Sequence, residues 1–238
     1  MSAKHTVLRA ALTLALLAFA APLWAQAATG QRGFLTGFGG AGANQHASPF
    51  FGGAIGLDVG DYVQITVDAG RIQNAEPKFT HADLSFFQKD AASEGVVASA
   101  SAKVPTNYYT AGIRVRTADR WRVRPYAVVS AGVAHMSPKP TFMLEGVDIT
   151  SLAMSSEIGD YANDPYTPKE IFREETRPMA TIGGGVTTAV TDHVQVDLGY
   201  NLSGIFIKKN FLQDFETSPH SHNRIYTHRF YAGLGLRF

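Results

Sequence analysis

Apolar residues in this chain recur at every second position, in one segment after another of about ten residues. Helical apolar positions recur every three to four residues, so a chain with this period buries or exposes one face only as strands. In YVQITVDAGRI, residues 62–72, Val63, Ile65, Val67 and Ala69 form one row, and Tyr62, Gln64, Thr66 and Asp68 the other. In VQVDLGYNLSGIF, residues 194–206, Val194, Val196, Leu198, Tyr200 and Leu202 face Gln195, Asp197, Gly199, Asn201 and Ser203. In THRFYAGLGLRF, residues 227–238, Phe230, Ala232, Leu234, Leu236 and Phe238 share one face, with Arg229, Tyr231, Gly233, Gly235 and Arg237 on the other. The segments FFGGAIGLDV, NYYTAGIRVR and RVRPYAVVSAGV repeat the pattern, with Arg114, Arg116, Arg122 and Arg124 in their polar rows. RPMATIGGGVTTAV and RGFLTGFGGAG follow it more loosely, because glycine blurs the period.

Eight candidate strands result, and their connections alternate in length. DVGD at 58–61, TADR at 117–120 and TDH at 191–193 are tight, while the stretches near 41–49, 74–106, 137–176 and 207–226 are long and polar. A meander in which every second connection is long places all the long ones at one end. The fold class this predicts is all-β: an eight-stranded antiparallel up-and-down transmembrane β-barrel with short periplasmic turns and long outer loops. A soluble lipocalin-like barrel has the same period with apolar residues inward. Two features favour the membrane arrangement. The polar rows hold arginines and glycines, a poor soluble surface but a workable narrow lumen. Large aromatics also sit near both ends of the strands: Phe51, Tyr109, Phe206 and Phe230 toward the loops, and Phe34, Trp121 and Phe238 toward the turns. Rings at those two heights suit the two interfaces of a bilayer.

The start of the chain agrees. MSAKHTVLRAALTLALLAFAAPLWAQAA has Lys4, His5 and Arg9, then an apolar core from Ala10 to Ala21, then small residues at Ala25 and Ala27. That is the anatomy of a secretory signal peptide. Residues 1–27 are therefore expected to be a cleaved leader, cut after Ala25 or Ala27, and 28–238 the barrel domain. No later apolar run is long enough for a transmembrane helix, which says nothing against strands, whose half-apolar faces average out. The 238 residues include no cysteine, which excludes disulfides, thiolate metal sites and a cysteine nucleophile. A formal charge of +1 gives no basic footprint for nucleic acid.

The segment YAGLGLRF resembles the C-terminal assembly signal of bacterial outer-membrane barrels, in which a polar or aromatic residue precedes glycine by two and two hydrophobic positions follow. Tyr231, Gly233, Leu236 and Phe238 occupy those places. RPYAVVSAGVAH, residues 124–135, is similar to a middle strand of small outer-membrane barrels of the OmpA membrane-domain, opacity-protein and OmpW type, and VQVDLGYNLS to their penultimate strand. The resemblance implies eight strands, contact with outer-membrane lipid and lipopolysaccharide, and insertion by the barrel-assembly machinery. It also implies roles that range from structural anchoring through adhesion to passage of small apolar molecules.

Charged residues of the inward rows must find partners once they leave bulk water. The expected interior polar network comprises Asp68, Arg114, Arg116, Arg122, Arg124, Asp197, Arg229 and Arg237, with Asp68 meeting Arg114 and Asp197 meeting an arginine of the last strand. Histidines offer the one hint of catalysis. SPHSHN, residues 218–223, sets His220 and His222 near Ser218 and Ser221, and the segment is similar, with its order broken, to the His-Ser-Asn run of lipid A deacylase barrels. A serine–histidine pair also needs an orienting acid, and two histidines alone leave a metal incompletely coordinated. No catalytic residue, metal or cofactor is expected. The 137–177 connection has 8 acids against 4 bases, a net of −4, and bears either solvated charge or a site for cations or a partner. SLAMSSEIGDYA within it is a candidate short helix. The expected role is non-enzymatic, structural or surface-interacting through outer loops. A transport barrel for small solutes or apolar molecules and an outer-leaflet lipid-modifying enzyme are the alternatives.

Overall fold

A computed structural model describes residues 33–43, 47–76, 88–89, 91–93, 95–117, 122–155, 172–206 and 224–238. The expected leader, Trp121, His220 and His222 lie outside the described residues. Among the described residues eleven strands run in chain order: β1 (Gly33–Ala43), β2 (Ala47–Asp58), β3 (Val63–Ile72), β4 (Ala98–Lys103), β5 (Thr106–Arg116), β6 (Val123–Met136), β7 (Lys139–Leu144), β8 (Val147–Asp148), β9 (Glu175–Ala189), β10 (Val194–Phe206) and β11 (Arg224–Arg237). Eight of them close a barrel in the order β1-β11-β10-β9-β6-β5-β3-β2, every pairing antiparallel.

The register fixes the tilt. A path of directly paired residues from Gly33 passes Leu57, Ile65, Ile113, Val129, Ile182, Leu202 and His228. It returns to β1 at Ala43, ten residues on from where it began. That stagger obliges the strands to lean across the barrel axis, and with eight strands it leaves a lumen that side chains can fill.

Burial is inside out. Outward-facing Leu234 and Ile182 are 68% and 63% exposed, while inward-facing Asp197 and Arg229 are 1% and 3% exposed. Water around such a molecule would wet the apolar rows of every strand, whereas hydrocarbon removes that cost, so the outer surface belongs in a bilayer and the soluble alternative falls. The girdle expectation needs one correction. Phe51, Tyr109, Phe206 and Phe230 do face outward, but Phe34 is 1% exposed and points into the lumen. Its even position in β1 shares the inward row with Thr36 and Phe38.

The long connections also hold more order than their sequence advertised. β4, β7 and β8 form a three-stranded sheet in the order β4-β7-β8, beyond the loop-side mouth. It continues the barrel wall: Thr106 pairs Met136 within β5 and β6, the Ser137 amide donates to Pro105 at 3.0 Å, and Lys103 then pairs Lys139. One face gathers Ala102, Phe142 and Phe172, the two rings meeting edge-on at 6.0 Å. Of the candidate helix, residues 151–154 form one short turn together with Thr150, and residues 156–162 lie outside the described residues.

Candidate functional site: the lumen

Inward residues of the eight strands stack in three layers. At the turn side, Asp58 of β2 accepts from Arg116 Nη2 at 2.8 Å and from Gln64 Nε2 at 2.6 Å. Arg237 Nη2 of the last strand stands 3.6 Å from the same carboxylate. Asp58 and Arg237 lie on the two strands that flank β1, so their attraction spans the seam where the chain's first and last strands join. Arg124 is buried at the same end.

The middle layer centres on Asp197 of β10. Arg114 donates to it at 3.2 Å, and the Tyr126 hydroxyl donates to its other oxygen at 2.7 Å. The Tyr231 hydroxyl lies 2.6 Å from that of Tyr126. The Arg114 guanidinium rests over the Tyr126 ring at 4.1 Å and near that of Phe34 at 5.0 Å. This crowding explains Gly199: a Cβ there would fall 2.4 Å from the Tyr231 hydroxyl, so a larger residue would push the tyrosines apart. Asp68, directly opposite Thr110, lines the same small cavity as Arg114 and Arg229.

Toward the loops, Arg229 donates to Ser203 Oγ at 2.8 Å, and Ser203 bonds Thr181 at 2.8 Å. The Arg229 guanidinium lies over Tyr108 at 4.3 Å. Above it the lumen turns apolar. Phe50, Ile72, Val104, Met136, Met179, Ile205 and Ile225 pack into a lid at the loop-side mouth. A cavity in the middle layer has a volume of about 20 Å³, room for a water-sized molecule.

Several expected residues sit differently from their sequence assignment. Arg114 pairs with Asp197 rather than with Asp68, and Arg229 bonds a serine. Arg122 lies exposed just ahead of β6, at the open turn-side edge and outside the packed lumen. Asp58 falls in the tight connection DVGD by sequence, yet its even number continues the inward row of β2. Tyr126 and Tyr231 were readable as inward, but nothing in their local sequence showed that the two would meet. Of the segment that resembles an assembly signal, Tyr231 and Gly233 face the lumen, while Leu236 and Phe238 face outward and are exposed. Among the described residues no cluster of three or more histidine or carboxylate side chains could hold a metal.

A comparison with curated proteins finds no match. Solved structures to which this chain is similar include Neisserial surface protein A, at 14% identity and a TM-score of 0.49, covering 88% of this chain and 97% of that one. Ail, the attachment invasion locus protein of Yersinia pestis, aligns at 11% identity and a TM-score of 0.44, covering 88% of this chain and 99% of that one. The N-terminal barrel domain of OprF from Pseudomonas aeruginosa aligns at 14% identity and a TM-score of 0.42, over 87% and 97% of the two chains. The family model for the outer membrane protein beta-barrel domain matches residues 11–238, and with a closed eight-stranded barrel that is apolar outside and charged within, this chain belongs to that family and resides in the bacterial outer membrane.

Proposed function

We propose that this protein is a non-conducting, non-enzymatic barrel that acts through the surface it raises on the outer side of the membrane. The filled lumen is the observation that supports this most: among the described residues, two charged layers and an apolar lid lie in series along the barrel's interior. The sheet of β4, β7 and β8 adds to it. That sheet lifts Val97, Val147 and Leu152, all well exposed, above the loop-side mouth, where a second macromolecule could cover them. A barrel serving only as an anchor needs no ordered sheet beyond the bilayer.

Planar-bilayer recording of the refolded protein tests the first half. A silent membrane is expected, and discrete openings would return the transport reading. Replacing residues 139–148 by a short glycine-serine linker tests the second half: the barrel should still fold and resist unfolding in detergent, because the raised sheet stabilises itself and not the lumen. Lipid A mass spectrometry with His220→Ala and His222→Ala tests the lipid-modifying alternative, and no change in acyl chains is expected. The same reading makes residues 1–27 a leader removed on export, so sequencing of the inserted protein should begin at Gln26 or Ala28. It also makes the assembly machinery a partner of the last strand before closure.

A further inference from the structure

Four inward side chains line the small cavity of the middle layer from opposite walls of the barrel. Asp68 of β3 and Tyr108 of β5 approach from one wall, Asn201 of β10 and Arg229 of β11 from the other. In the closed order β6 and β9 separate these walls on one side, and β1 and β2 on the other. Tyr108 and Arg229 are buried, yet the Tyr108 hydroxyl and Arg229 Nε have no hydrogen-bond partner among the described residues. Nor has Asn201 Oδ1, an atom likewise shut off from solvent. The two guanidiniums that share the cavity with Asp68 are engaged elsewhere, Arg114 by Asp197 and Arg229 by Ser203.

A buried polar atom without a partner is costly, and native interiors rarely keep several together. The lining decides what could serve them. Two donors, the Tyr108 hydroxyl and Arg229 Nε, and two acceptors, the Asp68 carboxylate and Asn201 Oδ1, border one space. Asp68 and Asp197 balance Arg114 and Arg229, so the lining has no net charge for an ion to neutralise. A cation would sit beside guanidiniums and an anion beside carboxylates, each repelled by its neighbours. The volume is about 20 Å³, and a water needs roughly 10–15 Å³ of such space. A neutral molecule of that size with two hydrogen bonds to give and two to accept is water.

We propose that the cavity binds a single long-lived water, which donates to Asp68 and Asn201 Oδ1 and accepts from the Tyr108 hydroxyl and Arg229 Nε. The site links Asp68 to Arg229 through solvent and ties the β3–β5 wall to the β10–β11 wall. It lies inside the lumen and does not depend on what the raised sheet binds.

A crystal structure of the protein purified in detergent, ordered well enough to show bound water, tests the assignment. One density peak is expected in the cavity, within hydrogen-bond distance of at least three of the four groups. Companion crystals grown with rubidium bromide as the salt should show no anomalous signal there. An unfilled cavity, an anomalous peak, or Asp68 in direct contact with Arg229 would overturn the water. Tyr108→Phe gives a second readout that needs no crystal. The ring that lies under the Arg229 guanidinium stays, and only the hydroxyl is lost. Deleting a buried hydroxyl that bonds nothing would leave the urea midpoint in detergent micelles unchanged or higher, whereas deleting one bonded to a held water lowers it. A lower midpoint is expected, and an unchanged or higher one would sink the proposal.

Discussion

Asp197 binds Arg114 and Tyr126 at once, inside a lumen that admits almost no water, so its removal strands a buried guanidinium and a buried hydroxyl together. Breaking such a pair from one side costs about 3–5 kcal/mol. Asp197→Ala should lose stability of that order in urea unfolding from detergent micelles. Arg114→Leu combined with Asp197→Leu should recover much of the loss, because no uncompensated charge remains. Additive losses would mean the two side chains are not coupled. Parity along each strand was enough to send Asp68, Arg114, Asp197, Arg229 and Arg237 inward, and the partners were not legible by the same means. Arg114 on β5 and Asp197 on β10 are separated by β6 and β9, so the contact crosses the lumen and depends on the stagger of the closed barrel. Asp68 and Arg114 lie on adjacent strands and look like natural partners, yet Asp68 is registered with Thr110, and Gln64 faces Arg114.

At the scale of the strand, β11 shows how completely period two encodes a two-sided environment: its pattern alternates without a break from Arg224 to Leu236, apart from half-buried Tyr231. Leu234, outward and near the middle of the apolar band, is the position to test. Leu234→Arg should cost about 2–4 kcal/mol in folding into lipid vesicles. The cost should shrink toward zero for the same change at Tyr226, close to the head groups. The raised strands follow a different logic. β4 reads ASASAK and β7 reads KPTFML, neither with a clear apolar row, and their pairing joins segments about forty residues apart. Local periodicity could not reveal them, because the barrel wall below aligns them. The turn after β8 adds a pH response of its own. Asp148 accepts from the Thr150 amide at 2.8 Å, and hydrogen bonds from Thr150 hold its carboxyl below the ordinary value. A lowered folded-state pKa favours the folded turn above the usual aspartate pKa of about 3.9 and loses that support as pH falls through the folded value. The protection of the Thr150 amide, relative to its intrinsic exchange rate, should therefore fall on acidification below about pH 4, and Asp148→Asn should abolish the response while leaving the β5–β6 ladder unchanged.

For the molecule as a whole, the side chains that fill the lumen also tie the barrel together. Asp58 and Arg237 attract across β1, Arg114 and Asp197 across β6 and β9, and Tyr126 and Tyr231 from β6 to β11, so each layer joins strands that share no backbone hydrogen bonds. On the proposed reading, mechanical closure and electrical closure come from the same side chains. The seals stand in series: an ion layer at the turn side, a second in the middle, and the apolar lid of Met136, Met179, Ile205 and Ile225 at the loop side. Resistances in series are set by the tightest element, so thinning one layer should not open the path. Met179→Ala loosens only the lid, and Arg116→Ala only the turn-side layer. Each variant alone is expected to leave a planar bilayer silent, though Met179→Ala should cost about 2–5 kcal/mol of stability for the core volume removed. Channel openings from either single variant would show that the remaining layers do not seal by themselves, and that the closed lumen rests on one constriction instead of three.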